Sequence, residues 1–445
     1  MNIFAAGSVA LTRCYAQAKA FATHQQVREF SANTLWALSA YAVMVAVEKL
    51  VLMPYLGRRL SEVAFGTLLL GRNTATVLSS GLFAGLHNLL LRRNQEWQGV
   101  EKAVAVRRAA WLGALLAGVE LVLVVLVLGV RNGVEELRLQ AASIAAFGVW
   151  GVVNTVNYLW QTYWRMQFRM PLFYGLQLFN GLALLLVVPL FWLGGVAGLY
   201  WGWVLAAVVP WLVTWVAARR DADWRAKTAA RKAGEMRQML RQMWVFVWGV
   251  VGQGLLQSLD RFIIGWLLGA AAVSVYFKVT NTAYMVVVPV EPLSGLLLSM
   301  VAQEQLGHQT LRHLRRLHGF MLVIIAGVLC LGVLLGQPLT DWLYGGGTFA
   351  AASQLYWIVL AGGACAIVSI LLRGMLIVYV PARWIVWHDT LSLAVLAAAG
   401  LIFTRRYGLT GAACAVALAL AVRALLSEAV VWLAVRRGLQ GVLSA

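Results

Sequence analysis

From about residue 34 to residue 435 the chain is a succession of apolar runs about 20 residues long, separated by short polar breaks. One of them, "GFMLVIIAGVLCLGVLLG" from Gly319 to Gly336, carries no charge at all. A helix crossing a bilayer core about 30 Å thick needs roughly 20 such residues. That pattern leaves one class of fold: an all-α polytopic membrane protein. The composition agrees, because 61% of the 445 residues are hydrophobic and only 12% are charged, against about 25% charged in a soluble domain. In such a chain the formal net charge of +19 reads as basic loops retained in the cytoplasm, not as a surface for nucleic acid.

The runs predict twelve transmembrane helices, over 34–56, 63–90, 107–130, 140–163, 171–193, 195–218, 243–268, 271–301, 317–336, 350–378, 383–403 and 408–435. Residues 1–33 are more polar. Their apolar stretch, Ile3 to Leu11, is short, and the basic residues follow it, the wrong order for a signal peptide. An interfacial segment lying on the membrane fits better. The N-terminus, the even-numbered loops and the C-terminal tail hold most of the Lys and Arg. The odd-numbered loops hold only Arg58, Arg59, Arg131, Arg138, Arg405 and Arg406. The positive-inside rule then puts both termini in the cytoplasm. The basic segment 219–242 is the longest loop and separates an N-lobe (34–218) from a C-lobe (243–437), with a tail at 438–445. It reads as a solvated linker held near anionic headgroups. The outer loops are short and leave no room for a catalytic domain.

The cysteines Cys14, Cys330, Cys365 and Cys414 have no metal-binding spacing, and the last three read as small buried hydrophobes. The histidines form no metal motif either, and His308, His313 and His318 read as solvated in a basic loop. No catalytic group and no metal site is expected, and no cofactor beyond a transported H⁺ or Na⁺.

The halves repeat. "EKLVLMPYLG", Glu48–Gly57, matches "DRFIIGWLLG", Asp260–Gly269: acid, base, apolar run, Leu-Gly. "RNTA" at Arg72–Ala75 is followed in kind by "TNTA" at Thr280–Ala283. The last helices begin alike, "GGVAGLYWGWVLA" from Gly194 and "YGLTGAACAVALA" from Tyr407. Three matches in one order argue for duplication. With an even number of helices in each copy, the two should be related by an axis along the membrane normal, a parallel repeat of six-helix lobes around a central cleft.

Charges inside a bilayer cost ~2.5–3.5 kcal/mol on insertion scales, so they face water or a partner. The basic ones concentrate on the first two helices of each lobe: Lys49, Arg72, Arg261 and Lys278. Equivalent helices meeting across a cleft would make a cationic cavity suited to an anion, with Arg supplying a bidentate fork and Lys a point charge. Asp260, Glu48, Glu120 and Glu291 are the candidates for binding a coupling H⁺ or Na⁺. Adjacent side chains project about 100° apart on a helix, so neither Glu48–Lys49 nor Asp260–Arg261 is expected as a direct ion pair. Glu291 lies between Pro289 and Pro292, where a kink is expected. Arg373 can snorkel to the inner face, and Arg423 and Glu428 are expected to pair within helix 12.

Four stretches carry a resemblance: "YLGRRLSEVAFGTLLL", "LDRFIIGWLLGAAAVSVY", "LTDWLYGGGTFAAAS" and "YGLTGAACAVALA". Over about residues 34–437 the chain resembles the polysaccharide-transport branch of the multidrug/oligosaccharidyl-lipid/polysaccharide flippase superfamily. The resemblance implies a V-shaped bundle in the bacterial inner membrane that moves a polyprenyl-pyrophosphate-linked oligosaccharide between leaflets by alternating access. It implies a cavity lined by helices 1, 2, 7 and 8, and so a substrate role for Lys49, Arg72, Arg261 and Lys278. Membrane lipids and other polysaccharide assembly proteins are the remaining partners it suggests. The chain lacks the two additional helices of the lipid II flippases it also resembles. Other readings are a drug/cation antiporter, which would prefer an acidic cavity, a membrane-embedded polysaccharide polymerase or ligase, and an export-complex subunit.

Overall fold

The computed structural model describes residues 35–36, 38–94, 97–132, 134–225, 241, 252, 254–290, 294 and 308–443. The N-terminal segment, most of the 219–242 linker and Glu291 lie outside these residues, as does the side chain of Glu120. All described elements are helical, with no strand among the described residues. Helix α1 spans Leu38–Arg59 and α2 Glu62–Arg92. Next come α3 (Val100–Asn132) and α4 (Val134–Met166). Ser61 caps α2, its Oγ accepting from the Ala64 N–H at 3.3 Å, and Glu62 complements the helix dipole.

Six spans of described residues are long and apolar enough to cross a membrane. Two of them, Met170–Arg220 and Trp384–Arg436, run to 51 and 53 residues. At 1.5 Å per residue each would stretch ~75–80 Å if straight, far beyond a bilayer core. Both fold back on a glycine. Gly195 (φ 57°, ψ −136°) separates α5 (170–194) from α6 (196–220), and Gly408 (φ 59°, ψ −138°) separates α11 (382–407) from α12 (409–443). A side chain would strain either backbone. Three residues later the returning helix passes so close that a Cβ on Gly198 would lie 1.8 Å from the Leu190 oxygen, and one on Gly411 2.0 Å from that of Phe403. Two hairpins with matching dihedrals and matching contacts carry the duplication from sequence into backbone.

Helix α7 (Leu259–Leu267) begins only after a turn at Gln257 and Ser258, so the expected continuous helix over 243–268 is broken there. Gly269 (φ 88°) turns the chain into α8 (Ala270–Val287), which gives way to a 3₁₀ turn at Val288–Val290, the site of Pro289. Helices α9 (His308–Tyr344) and α10 (Thr348–Tyr379) follow, and α12 continues to Leu443. His318 therefore sits on a helix, not in a loop.

Helices α2, α3, α4 and α6 pack together in the first half, and α10, α11 and α12 in the second, while α2 packs on α8 across the halves. The largest apolar cluster joins both halves, Leu56, Phe65 and Leu69 meeting Val273, Phe277 and Tyr356. A second cluster, with Leu89, Ala109 and Trp164, belongs to the first half alone. Large apolar side chains such as Trp192, Leu322 and Trp387 face outward, where lipid would cover them. Cys330 and Cys414 are also exposed and Cys365 half-buried, so these thiols are not core fillers as expected.

Candidate functional site

Both copies of the acid–base pair sit where a helix is irregular. In α1 the segment Ala46–Leu52 is wound as a π-helix, with the Met53 N–H reaching back to the Glu48 oxygen. Pro54 has no N–H to continue that ladder. The Lys49 carbonyl is thus left without an intrahelical donor, and Asn281 Nδ2 from the other half donates to it at 3.4 Å. In α7 the break at Ser258 puts Asp260 in the first helical turn, where the helix dipole favours a carboxylate. Its Oδ1 accepts the Arg261 N–H at 2.8 Å. Broken or bulged helices at a repeat interface are where transporters place their sites.

The two asparagines of the repeated "NTA" motif each reach across to the opposite pair. Asn281 meets Lys49, and Asn73 Oδ1 accepts from Arg261 NH1 at 3.2 Å. This reciprocity is what a twofold axis between the halves produces. Lys49 and Arg261 also converge on one ring, Phe277, at 5.4 and 5.1 Å from its centroid. Arg72 lies over Trp203 at 5.5 Å and pairs with Glu48 at 2.6 Å. Lys49 Nζ also reaches Glu48, at 3.7 Å. That corrects the expectation of no direct pair: the widened turn and the long Lys stem bring adjacent residues together. Tyr276 and Tyr284 stand within electrostatic reach of the buried Asp260. Lys49, Arg72 and Arg261 thus crowd together against the carboxylates Glu48 and Asp260.

Lys278 is not part of that group. It pairs with Glu62 at 2.5 Å, and Ser274 Oγ hydrogen-bonds the same carboxylate. Glu62 is half exposed, so this pair is screened and weak. Further toward the same end, Arg58 donates to the Leu343 oxygen at 2.8 Å and to that of Trp342. A Cβ on Gly66 would lie 1.7 Å from the Ala270 oxygen, so α2 and α8 touch backbone to backbone. From Glu62 to Asn73 is ~16 Å along α2, about half a bilayer core. Among the described residues, the polar contacts between the halves form a seam from the α1–α2 turn to mid-membrane. The cation cluster lies at its inner end.

Glu48 also lines a cavity of about 180 Å³ in the first half, together with Arg72, Asn154, Tyr158 and Asn180. Behind it a buried amide network links Asn157 to Asn180 at 3.0 Å, and Gln161 to Asn157 at 3.2 Å. The sequence reading missed these residues. The spacing of Asn154, Asn157 and Gln161 on one helical face was the available signal. Arg423 and Glu428 do not pair with each other: Arg423 binds Asp389 at 3.1 Å, and Glu428 binds His318 at 2.9 Å. Among the described residues no group of His, Cys, Asp and Glu could hold a metal ion.

The family model described as "Polysaccharide biosynthesis protein" matches residues 30–299. Comparison with curated protein sequences found no match. Solved structures share the fold. An inward-facing multidrug resistance MATE family transporter of the MOP superfamily is 13% identical with a TM-score of 0.67, over 90% of this chain and 95% of that one. A MOP superfamily transporter from Pyrococcus furiosus, described as having a binding pocket of reverse polarity that suggests a different function, is 14% identical with a TM-score of 0.64, over 91% and 96%. The Vibrio cholerae MATE transporter VcmN is 15% identical with a TM-score of 0.63, over 93% and 97%.

Proposed function

The chain belongs to the polysaccharide biosynthesis protein family, and from that premise we propose that this multi-pass membrane transporter is a flippase for a polyprenyl-pyrophosphate-linked oligosaccharide in the bacterial inner membrane. The observation that supports the substrate class is a set of donors without acceptors at the cation cluster. Arg72 Nε, Asn73 Nδ2 and Arg261 Nε are buried and have no hydrogen-bond partner among the described residues. Buried donors left unmade cost about 1–3 kcal/mol each, more when charged. A pyrophosphate offers the acceptors and the charge that would satisfy them. The same cations repel a cationic drug, which argues against the antiporter reading.

Orientation follows from the basic segments being cytoplasmic. The seam then closes the outer end, and the cluster takes up its lipid-linked substrate from the inner leaflet. A cysteine introduced at Ala226 should resist a membrane-impermeant thiol reagent in intact cells. Labelling from outside would reverse the orientation.

Asp260, and Glu48 in the equivalent place, are proposed to bind a coupling H⁺ or Na⁺ in competition with the substrate anion. In proteoliposomes with a defined lipid-linked sugar, Asp260→Asn should still bind substrate yet lose its dependence on an ion gradient. Wild-type gradient dependence in that variant would remove Asp260 from the coupling step.

A further inference from the structure

The second half holds a buried polar cluster that the seam does not use. His388 on α11 is 3% exposed at its side chain. Its Nδ1 lies 3.0 Å from Asp389 Oδ1, and its Nε2 lies 2.9 Å from Ser427 Oγ and 3.2 Å from the Arg423 carbonyl on α12. Ser427 is fully buried and its Oγ is also 2.8 Å from that carbonyl. Arg423 NH2 donates to the same Asp389 oxygen at 3.1 Å, and Arg373 on α10 is within electrostatic reach of Asp389. Glu428, one residue on from Ser427, is engaged by His318 of α9 instead.

This geometry satisfies the imidazole in two protonation states. When both ring nitrogens carry hydrogen, Nδ1–H donates to the Asp389 carboxylate and Nε2–H to the Ser427 oxygen, whose own hydrogen goes to the Arg423 carbonyl. When Nε2 is bare, the Ser427 hydroxyl rotates and donates to it. A buried group that exchanges a proton without leaving an orphaned partner escapes the usual cost of such a change. A histidine kept only for packing has no need of a hydroxyl that serves it in either state.

We propose that His388, held between Asp389 and Ser427, is a proton-binding site of the second half, distinct from the seam, whose protonation sets the pH dependence of the protein. The ligand is a single proton, with Asp389 supporting the imidazolium and Arg423 and Arg373 opposing it. The transport arm of the test rests on the flippase reading above; the spectroscopic arm does not.

The full chain, labelled with ¹⁵N-histidine and reconstituted in nanodiscs, is titrated from about pH 5 to pH 9 by NMR, with His388 assigned through the signal missing in His388→Gln. The resonance should pass from one neutral tautomer to imidazolium. Asp389→Asn should move the midpoint to lower pH by about one unit or more, since it removes the favourable charge. Ser427→Ala should move it to higher pH, since the neutral form loses its donor at Nε2 while the imidazolium keeps the Arg423 carbonyl, 3.2 Å away, as an acceptor; it also serves if Asp389→Asn does not fold. The midpoint of the pH–transport profile should shift in the same sense in each variant. A His388 that stays in one state throughout, or variants that shift neither midpoint, would overturn the site. If the wild type moves no lipid-linked sugar at any pH while His388 titrates as described, the substrate reading fails and the proton site stands.

Discussion

Arg261→Ala is expected to lower transport of the lipid-linked oligosaccharide about 10- to 100-fold, with wild-type amounts of folded protein in the membrane. Arg261 combines the features of an anion ligand. It is 9% exposed, commits one nitrogen to Asn73, and leaves Nε buried with no acceptor among the described residues. Hydrogen bonds to charged groups are worth about 1.5–3 kcal/mol, which is the stated range in rate. Its single bond across the seam is too small a share of the packing between the halves for its loss to unfold the protein. Arg261→Lys separates charge from geometry. The ammonium keeps the charge over the Phe277 ring and lacks the planar fork, so its activity should fall between those of wild type and alanine. Complementation of a deletion strain by Arg261→Ala at wild-type level would remove the residue from the substrate site.

Gly66→Val should abolish the closed seam. The Cβ it adds falls on the Ala270 backbone oxygen, and backbone cannot rotate away as a side chain tip can. Overpacking of this kind costs about 1–3 kcal/mol or more, and separating α2 from α8 relieves it. The first-half core around Leu89 and Trp164 is built without α8, so the variant should still insert and fold. A cysteine pair made by Glu62→Cys and Ser274→Cys, at two side chains that share a hydrogen bond, reads the seam directly. Oxidative cross-linking should be efficient with Gly66 present. It should fall about tenfold or more when Gly66→Val is added to the same background, and transport should fall with it. Unchanged cross-linking and transport would mean that this close approach is not needed for the working cycle.

Much of the fold was legible because its signals are local. The apolar runs report a constraint that the chain carries by itself, whereas the glycines at 195 and 408 stood inside the matched last-helix stretches without being read as turns. The acid–base pairs were legible as a repeat and as charges that are costly to bury. Their surroundings were not. A π turn at Glu48 depends on the balance of Pro54 against neighbours from the other half, and no periodicity encodes that. Glu62 escaped notice because it sits at a helix start, where a carboxylate is ordinary, and only the approach of α8 gives it Lys278. The partners of Arg423 and Glu428 were misread for a related reason. Helical spacing suggests pairs within one helix, whereas α11 and α9 offered partners that sequence distance conceals. The "NTA" motif was recognised as a match between the halves, but its role in crossing between them required the third dimension.

Lys49 and Arg261 approach one aromatic ring, and a single ring cannot neutralise both. The cluster is therefore electrostatically frustrated, with like charges pressed together and, among the described residues, Glu48 and Asp260 to hold them. On the proposed flippase reading, those carboxylates are resting counter-ions, tenants of the place a diphosphate would take. On that reading they would let the vacant protein make its return journey without a passenger, and each new one would have to displace them. Such an eviction would moderate affinity and favour release of the cargo on the far side over its permanent capture.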